Sequence, residues 1–295
     1  MKYVLCKPRG GLNDTLCEIE KCWRYAEKTN RYLLIDTNNS GLYDDFFNYF
    51  QSDSTKVIKK NNYKELNKLD AYPKICQSEL DTYQAEYSPI LKNFVEKSTG
   101  ARLSFNMDLT YKEDVLVHES CWEGEFLSIY CLDGLVLRPE VAQHIKQKME
   151  DAKLDVFDYV AVHIRNTDYK MDYKKFFDQL LPDVSNKTVL VCSDDYEVFS
   201  YARKTLNKSR VVRLSTFKDN HGAPLHHTRH KDQYAMNLEV LTDLIGMAKS
   251  KKFYMANVNN TKRFSGFTML AYTLKENPDI VRKLLSVSLQ SLQPS

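Results

Sequence analysis

The chain has 295 residues, 43% of them apolar, and a formal charge of +3 carried by interspersed Lys and Asp/Glu. That length exceeds the usual ~100–200 residues of one domain and the apolar content can fill a sizeable core, so two domains sharing a cleft are expected and wholesale disorder is excluded. The small, dispersed charge offers no nucleic-acid tail, no window reaches the roughly 18 apolar residues of a membrane span, and the start at Met1 lacks a charged-then-apolar leader, so a cytoplasmic protein or one trimmed of an anchor is expected.

In chain order, residues 3–6 form a short apolar strand, Arg9-Gly10-Gly11 a turn, and Leu12, Leu16, Ile19, Trp23 and Ala26 recur at spacings of three or four on one helical face before a second strand at 32–35. This is a β-α-β opening. Residues 41–104 are rich in Tyr, Asn, Lys and Asp with weak periodicity and predict helices and loops decorating a first domain. A β run at 115–118 precedes the aromatic stretch 121–126, and a helix started by Pro139 covers about 135–151. The domain boundary is placed there, giving 1–153 and 154–295. In the second part, β-rich runs at 159–164, 188–192, 210–214 and 253–256 alternate with helical stretches, as in a parallel sheet covered on both faces. A polar loop at 217–231 holds four histidines, and the last helices are expected from 267 to about 289.

Chemistry concentrates at the ends of these strands. His163-Ile164-Arg165-Asn166-Thr167-Asp168 leaves the carboxyl end of a strand, where ligands sit in open α/β sheets. The planar, permanently charged guanidinium of Arg165 suits a diphosphate; the alternative is an Arg165–Asp168 pair that only stabilises a loop, with His163 a satisfied core histidine. Gly10 and Gly11 let the backbone approach a ligand at a helix start, with Asn13 beside them, or simply make a turn. Phe264-Ser265-Gly266-Phe267 leads into a helix and offers a hydroxyl and amides to an anion, or Ser265 is a plain N-cap. Asp194-Asp195 after Ser193 suggests a metal-binding pair but reads better as a helix start. The seven cysteines are an odd number with mostly apolar neighbours, which predicts reduced, buried thiols, and Cys17 and Cys22, five apart, do not make a zinc pair. No metal is expected.

The order of Gly-Gly-Leu-Asn near the N-terminus, the stretch from His163 to Asp168, Pro224-Leu225-His226 in the polar loop, Asp243 in a helix and Phe264-Ser265-Gly266-Phe267 resembles the GDP-fucosyltransferase superfamily of α1,2-, α1,6- and protein O-fucosyltransferases. The resemblance implies a GT-B fold of two Rossmann-like domains facing each other, the N-terminal one on the acceptor side and the donor in the C-terminal one. It implies metal-independent, inverting transfer of fucose from GDP-fucose to a glycan hydroxyl, with the donor as a substrate and no cofactor. Arg165 falls at the family's diphosphate-binding arginine, His163 near the nucleotide, and Asp243 at a carboxylate that accepts from guanine N1–H and N2–H₂. Ser265, Gly266 and Phe267 match the turn around the β-phosphate. Where many members have a second arginine this chain has Asn166, and where the α1,6 branch has a glutamate base this chain has Tyr173, leaving Asp172 or Asp168 as the base. A GT-B transferase with another nucleotide sugar, or a non-catalytic nucleotide-sugar or glycan binder, is the alternative.

Overall fold

The computed structural model describes residues 1–59, 63–121, 128–154, 158–168, 170–216, 228–257 and 263–286. The stretches 122–126 and 217–227, the second containing Pro224, Leu225 and His226, lie outside the described residues. The chain divides into two compact units, Met1–Leu135 and Val136–Ser295. The division falls before the helix that was expected to close the first domain, because that helix packs on an element of the second unit.

In the first unit the expected opening is present as β1 (Tyr3–Arg9), α1 (Leu12–Lys28) and β2 (Tyr32–Ile35), followed by β3 (Phe50–Ser52), β4 (Val57–Lys59), α2 (Tyr63–Leu66), β5 (Ala71–Tyr72), β6 (Ala85–Ser88), β7 (Asn93–Glu96), β8 (Val115–Cys121) and α3 (Ile129–Asp133). The sheet runs β4-β2-β1-β8-β5 and every pairing in it is parallel. Residues 41–104 thus hold more than helices and loops: two of their strands join the sheet and β6 and β7 form an antiparallel hairpin. One face of the sheet buries Leu5, Leu34, Val115 and Val117 against Leu66, Leu80 and Leu103. The helix α1 buries Leu16, Ile19, Trp23 and Ala26, the face that the spacing predicts.

Crossing between the units, β9 (Leu135–Leu137) precedes α4 (Pro139–Asp151), with Pro139 at the first helical position, where its missing N–H leaves no bond unmade. The second unit continues with β10 (Tyr159–Ile164), α5 (Tyr173–Val184), β11 (Thr188–Ser193), α6 (Tyr196–Thr205), β12 (Arg210–Val212), α7 (Gln233–Ala248), β13 (Lys252–Met255), α8 (Gly266–Glu276) and α9 (Pro278–Leu284). The expected terminal helical stretch is therefore two helices, broken at Pro278, which cannot continue α8 but can start α9. The sheet order is β12-β11-β10-β13, all parallel.

The central strand β10 is buried along its whole length, as a parallel strand covered on both faces must be. Val160, Val162, Ile164, Val189 and Val191 pack against Phe177, Leu180, Val184, Val198 and Ala202 of α5 and α6. The other face meets α7 and α8. Gly246 lets α7 lie close on it, since a Cβ there would stand 2.5 Å from Leu214 and 3.0 Å from Leu190. Lys148 of α4 pairs with Glu239 of α7 at 2.9 Å, which ties α4 to this unit. No described helix is long and apolar enough to cross a membrane.

Candidate active site

The second unit gathers polar side chains at the carboxyl ends of β10 and β11, because adjacent parallel strands deliver their following loops to one edge. Arg165 leaves β10 with its side chain 15% exposed; its Nε donates to Asp168 Oδ1 at 2.7 Å and lies 3.4 Å from Asp194 Oδ2. Asp194 also accepts from the Asn166 amide at 2.8 Å through Oδ1 and from the Thr167 hydroxyl through Oδ2. Asp195 accepts from the Asn166 side chain at 2.7 Å and from Glu197 N–H at 2.9 Å, so it caps α6 as the helix-start reading predicts. The two aspartates thus brace the loop carrying Arg165. Among the described residues no group of three or more His, Cys, Asp or Glu is arranged to hold a metal.

Asp194 is a residue that sequence reasoning missed as part of this site. Its signal was the Asp-Asp pair after a β run, but the pairing of β11 with β10 had to be known before that pair could be set against Arg165.

His163, the fifth residue of β10, points to the α7–α8 face. Its Nδ1 is 2.7 Å from Thr268 Oγ1, which is 2.8 Å from Ser265 Oγ. Burial, reinforced by the Arg165 charge, pushes the imidazole down to about 3, so it is neutral at any working pH. Ser265 Oγ accepts from Thr268 N–H at 3.2 Å and caps α8, whose first residue is Gly266. Phe267 rests its ring 5.4 Å from the His163 ring. One hydrogen-bonded chain therefore links β10 to the amino end of α8, where free amides and the helix dipole favour an anion. Ser265 is an N-cap and a member of that chain at once.

Asp243 lies on α7, 3% exposed, and its Oδ1 accepts from Ser215 N–H at 3.2 Å. Cys192, the β11 residue in register with His163, is a further partner. Burial dominates and pushes this carboxyl up to about 7 despite those bonds. Asp172 caps α5 by accepting from Lys175 N–H at 3.1 Å. Of the two candidate bases, Asp168 is held by Arg165 and Asp172 by a helix end.

Gly10, Gly11 and Asn13 belong to the first unit. Gly10 has φ +86°, and a Cβ there would stand 2.6 Å from Asp14 Oδ2 and 2.9 Å from Cys121 Sγ, so glycine is required. The Gly11 amide donates to Asp14 Oδ2 at 3.0 Å, closing the start of α1. Asn13 is 3% exposed, and neither of its amide atoms has a partner among the described residues. Buried amides without partners cost about 1–3 kcal/mol, which the start of α1 bears at this position.

No protein-family model matches the chain, and no curated protein matches it by sequence. Solved structures do match in fold. The fucosyltransferase NodZ from Bradyrhizobium aligns with a TM-score of 0.59 at 18% identity, over 92% of each chain. NodZ α-1,6-fucosyltransferase co-crystallized with GDP aligns at 0.60, and the same enzyme soaked with GDP-fucose at 0.62, both at 17% identity over 92% of each chain. The chain thus shares with NodZ an α/β fold, and its two larger sheets are parallel. The likeness to NodZ is one of fold.

Proposed function

We propose that the protein is an inverting glycosyltransferase that moves fucose from GDP-fucose to a glycan hydroxyl without a metal ion. The observation that carries the proposal is Arg165, which emerges from the central strand beside a neutral, buried His163 linked through Thr268 to the amino end of α8. The fold is shared with a fucosyltransferase solved with GDP and with GDP-fucose, and that supports a GDP-sugar donor. Arg165 and the Ser265–Gly266 amides hold the diphosphate and take up the negative charge that builds on the leaving group, the task a divalent cation performs elsewhere. The neutral imidazole lets His163 serve as a hydrogen-bonding strut next to the cation without repelling it. Asp243 accepts from the guanine edge when ionised.

Chemistry follows from these positions. The acceptor hydroxyl loses its proton to a carboxylate, Asp172 in the first instance, as its oxygen attacks the anomeric carbon on the face opposite the diphosphate. The C–O bond to the diphosphate breaks with its electron pair left on GDP, and configuration inverts. A thermal-shift comparison in EDTA tests the donor assignment, because a ligand that binds only the folded state raises the melting temperature. GDP is expected to stabilise more than UDP or ADP; equal shifts, or a shift that requires Mn²⁺, contradicts the proposal.

A further inference from the structure

The first unit has a polar and aromatic constellation of its own at the carboxyl ends of β1 and β8. Arg9, the last residue of β1, donates from Nε to Glu119 Oε1 at 2.7 Å, and its Nη2 reaches the same oxygen. Glu119 is 1% exposed, and its other oxygen accepts from the Tyr83 hydroxyl at 2.5 Å and lies 3.8 Å from Lys7 Nζ. The Lys7 ammonium sits 4.1 Å from the centre of the Tyr83 ring, and burial draws its ionisation below the ordinary lysine range. This buried frame fixes one edge of the Arg9 guanidinium, its Nη1 donates to the Asn39 carbonyl at 3.4 Å, and its side chain stays 22% exposed. The guanidinium carbon stands 4.9 Å from the Phe94 ring centre. Phe94 of β7 is paired directly with Tyr87 of β6, ring centres 5.6 Å apart, and Tyr87 is 45% exposed.

We propose that Arg9, Phe94 and Tyr87 form a saccharide-binding subsite, the place where the first unit holds a sugar ring of the acceptor. Carboxyl ends of parallel strands are where α/β sheets take ligands. A pyranose has an apolar face of C–H groups that covers an aromatic ring, and a rim of hydroxyl oxygens that accept from a guanidinium. Charge argues for a neutral ligand over a phosphate: Lys7 and Arg9 are balanced by Glu119 and by Asp36, whose field reaches Lys7. An anion would find no uncompensated cation there. That the sugar is the acceptor rests on the transferase reading; that the subsite binds a sugar does not.

The test uses the whole protein without nucleotide, with cellotetraose, maltotetraose, chitotetraose and mannotetraose as probes, followed by saturation-transfer NMR and titration. At least one probe is expected to bind, and Tyr87→Ala to weaken it about tenfold, the loss of one stacking ring. Ile90→Ala, at the 92% exposed tip of the same hairpin, is expected to leave binding unchanged. The GDP-induced melting shift should be the same in both variants. The subsite is overturned if no probe binds the wild type, if Tyr87→Ala binds as well as wild type, or if Ile90→Ala loses as much as Tyr87→Ala. It is also overturned if Tyr87→Ala abolishes self-association and spares sugar binding, which makes the hairpin a protein contact. Sugar binding without GDP selectivity sinks the transferase reading and keeps the subsite; the reverse pattern does the opposite.

Discussion

Arg165 is held by Asp168 through its Nε and lies 3.4 Å from Asp194 Oδ2, and the proposed diphosphate contact is tested by removing the guanidinium. Arg165→Ala is expected to cost about 2–5 kcal/mol of donor and transition-state binding, roughly 10²- to 10³-fold or more in kcat/KM, with the fold intact. Activity within a factor of about three of wild type leaves Arg165 as half of a loop-stabilising pair. The base is separable by substitution because Asn caps a helix as well as Asp does. Asp172→Asn therefore preserves the start of α5 and isolates the proton-accepting role; turnover should fall about 10²-fold with GDP affinity nearly unchanged. Asp168→Asn should loosen the Arg165 clamp and weaken donor binding. The opposite pattern in single-turnover and GDP-titration measurements makes Asp168 the base. Asp243 predicts a pH dependence. Its folded carboxyl titrates near 7 against an ordinary 3.8, so the folded state holds the extra proton between those values and this group makes stability decline as pH rises through that window. Asp243→Asn should remove that decline in denaturant titrations, and wild-type GDP affinity should increase as pH rises through about 7, as the guanine-accepting carboxylate forms.

Elements brought the aspartates to the arginine. The contact between Arg165 and Asp168 was legible at a spacing of three, whereas Asp194 reaches Asn166 across 28 positions and only through the parallel pairing of β10 with β11. The opening β-α-β unit was legible because two glycines and a helical stripe mark it. Strands β4 and β5 were not, since three and two residues are too few to show a period of two, and their place in the sheet depends on long-range pairing. Asp194→Asn keeps the shape of the brace but loses its charge and half of its acceptor capacity. It should weaken GDP binding about tenfold and cost about 1–3 kcal/mol of stability as a loop donor loses its partner. GDP titration and urea unfolding check both; wild-type values in both reduce Asp194 to a bystander. The turn at Gly10 makes the matching case in the first unit, where Gly10→Ala at φ +86° against Asp14 and Cys121 should destabilise by at least about 1 kcal/mol.

At the scale of the whole molecule, length pointed to two domains and the alternation of strands and helices to a parallel sheet; the chain divides into two compact units, each around a parallel sheet. Their division point was less legible, because a helix with clean caps such as α4 reads the same whichever unit it packs on. The resemblance to GDP-fucosyltransferases rested on short motifs scattered over both units, and the fold joins most of those in the second unit at one sheet edge. The central claim concerns what that edge transfers. It is tested most directly by following GDP release and sugar transfer from GDP-fucose, GDP-mannose and UDP-galactose to an oligosaccharide mixture in EDTA. GDP-fucose is expected to be turned over fastest, with acceptor-dependent GDP release and an inverted anomeric linkage in the product; faster turnover of UDP-galactose, or no acceptor-dependent release from any donor, contradicts it.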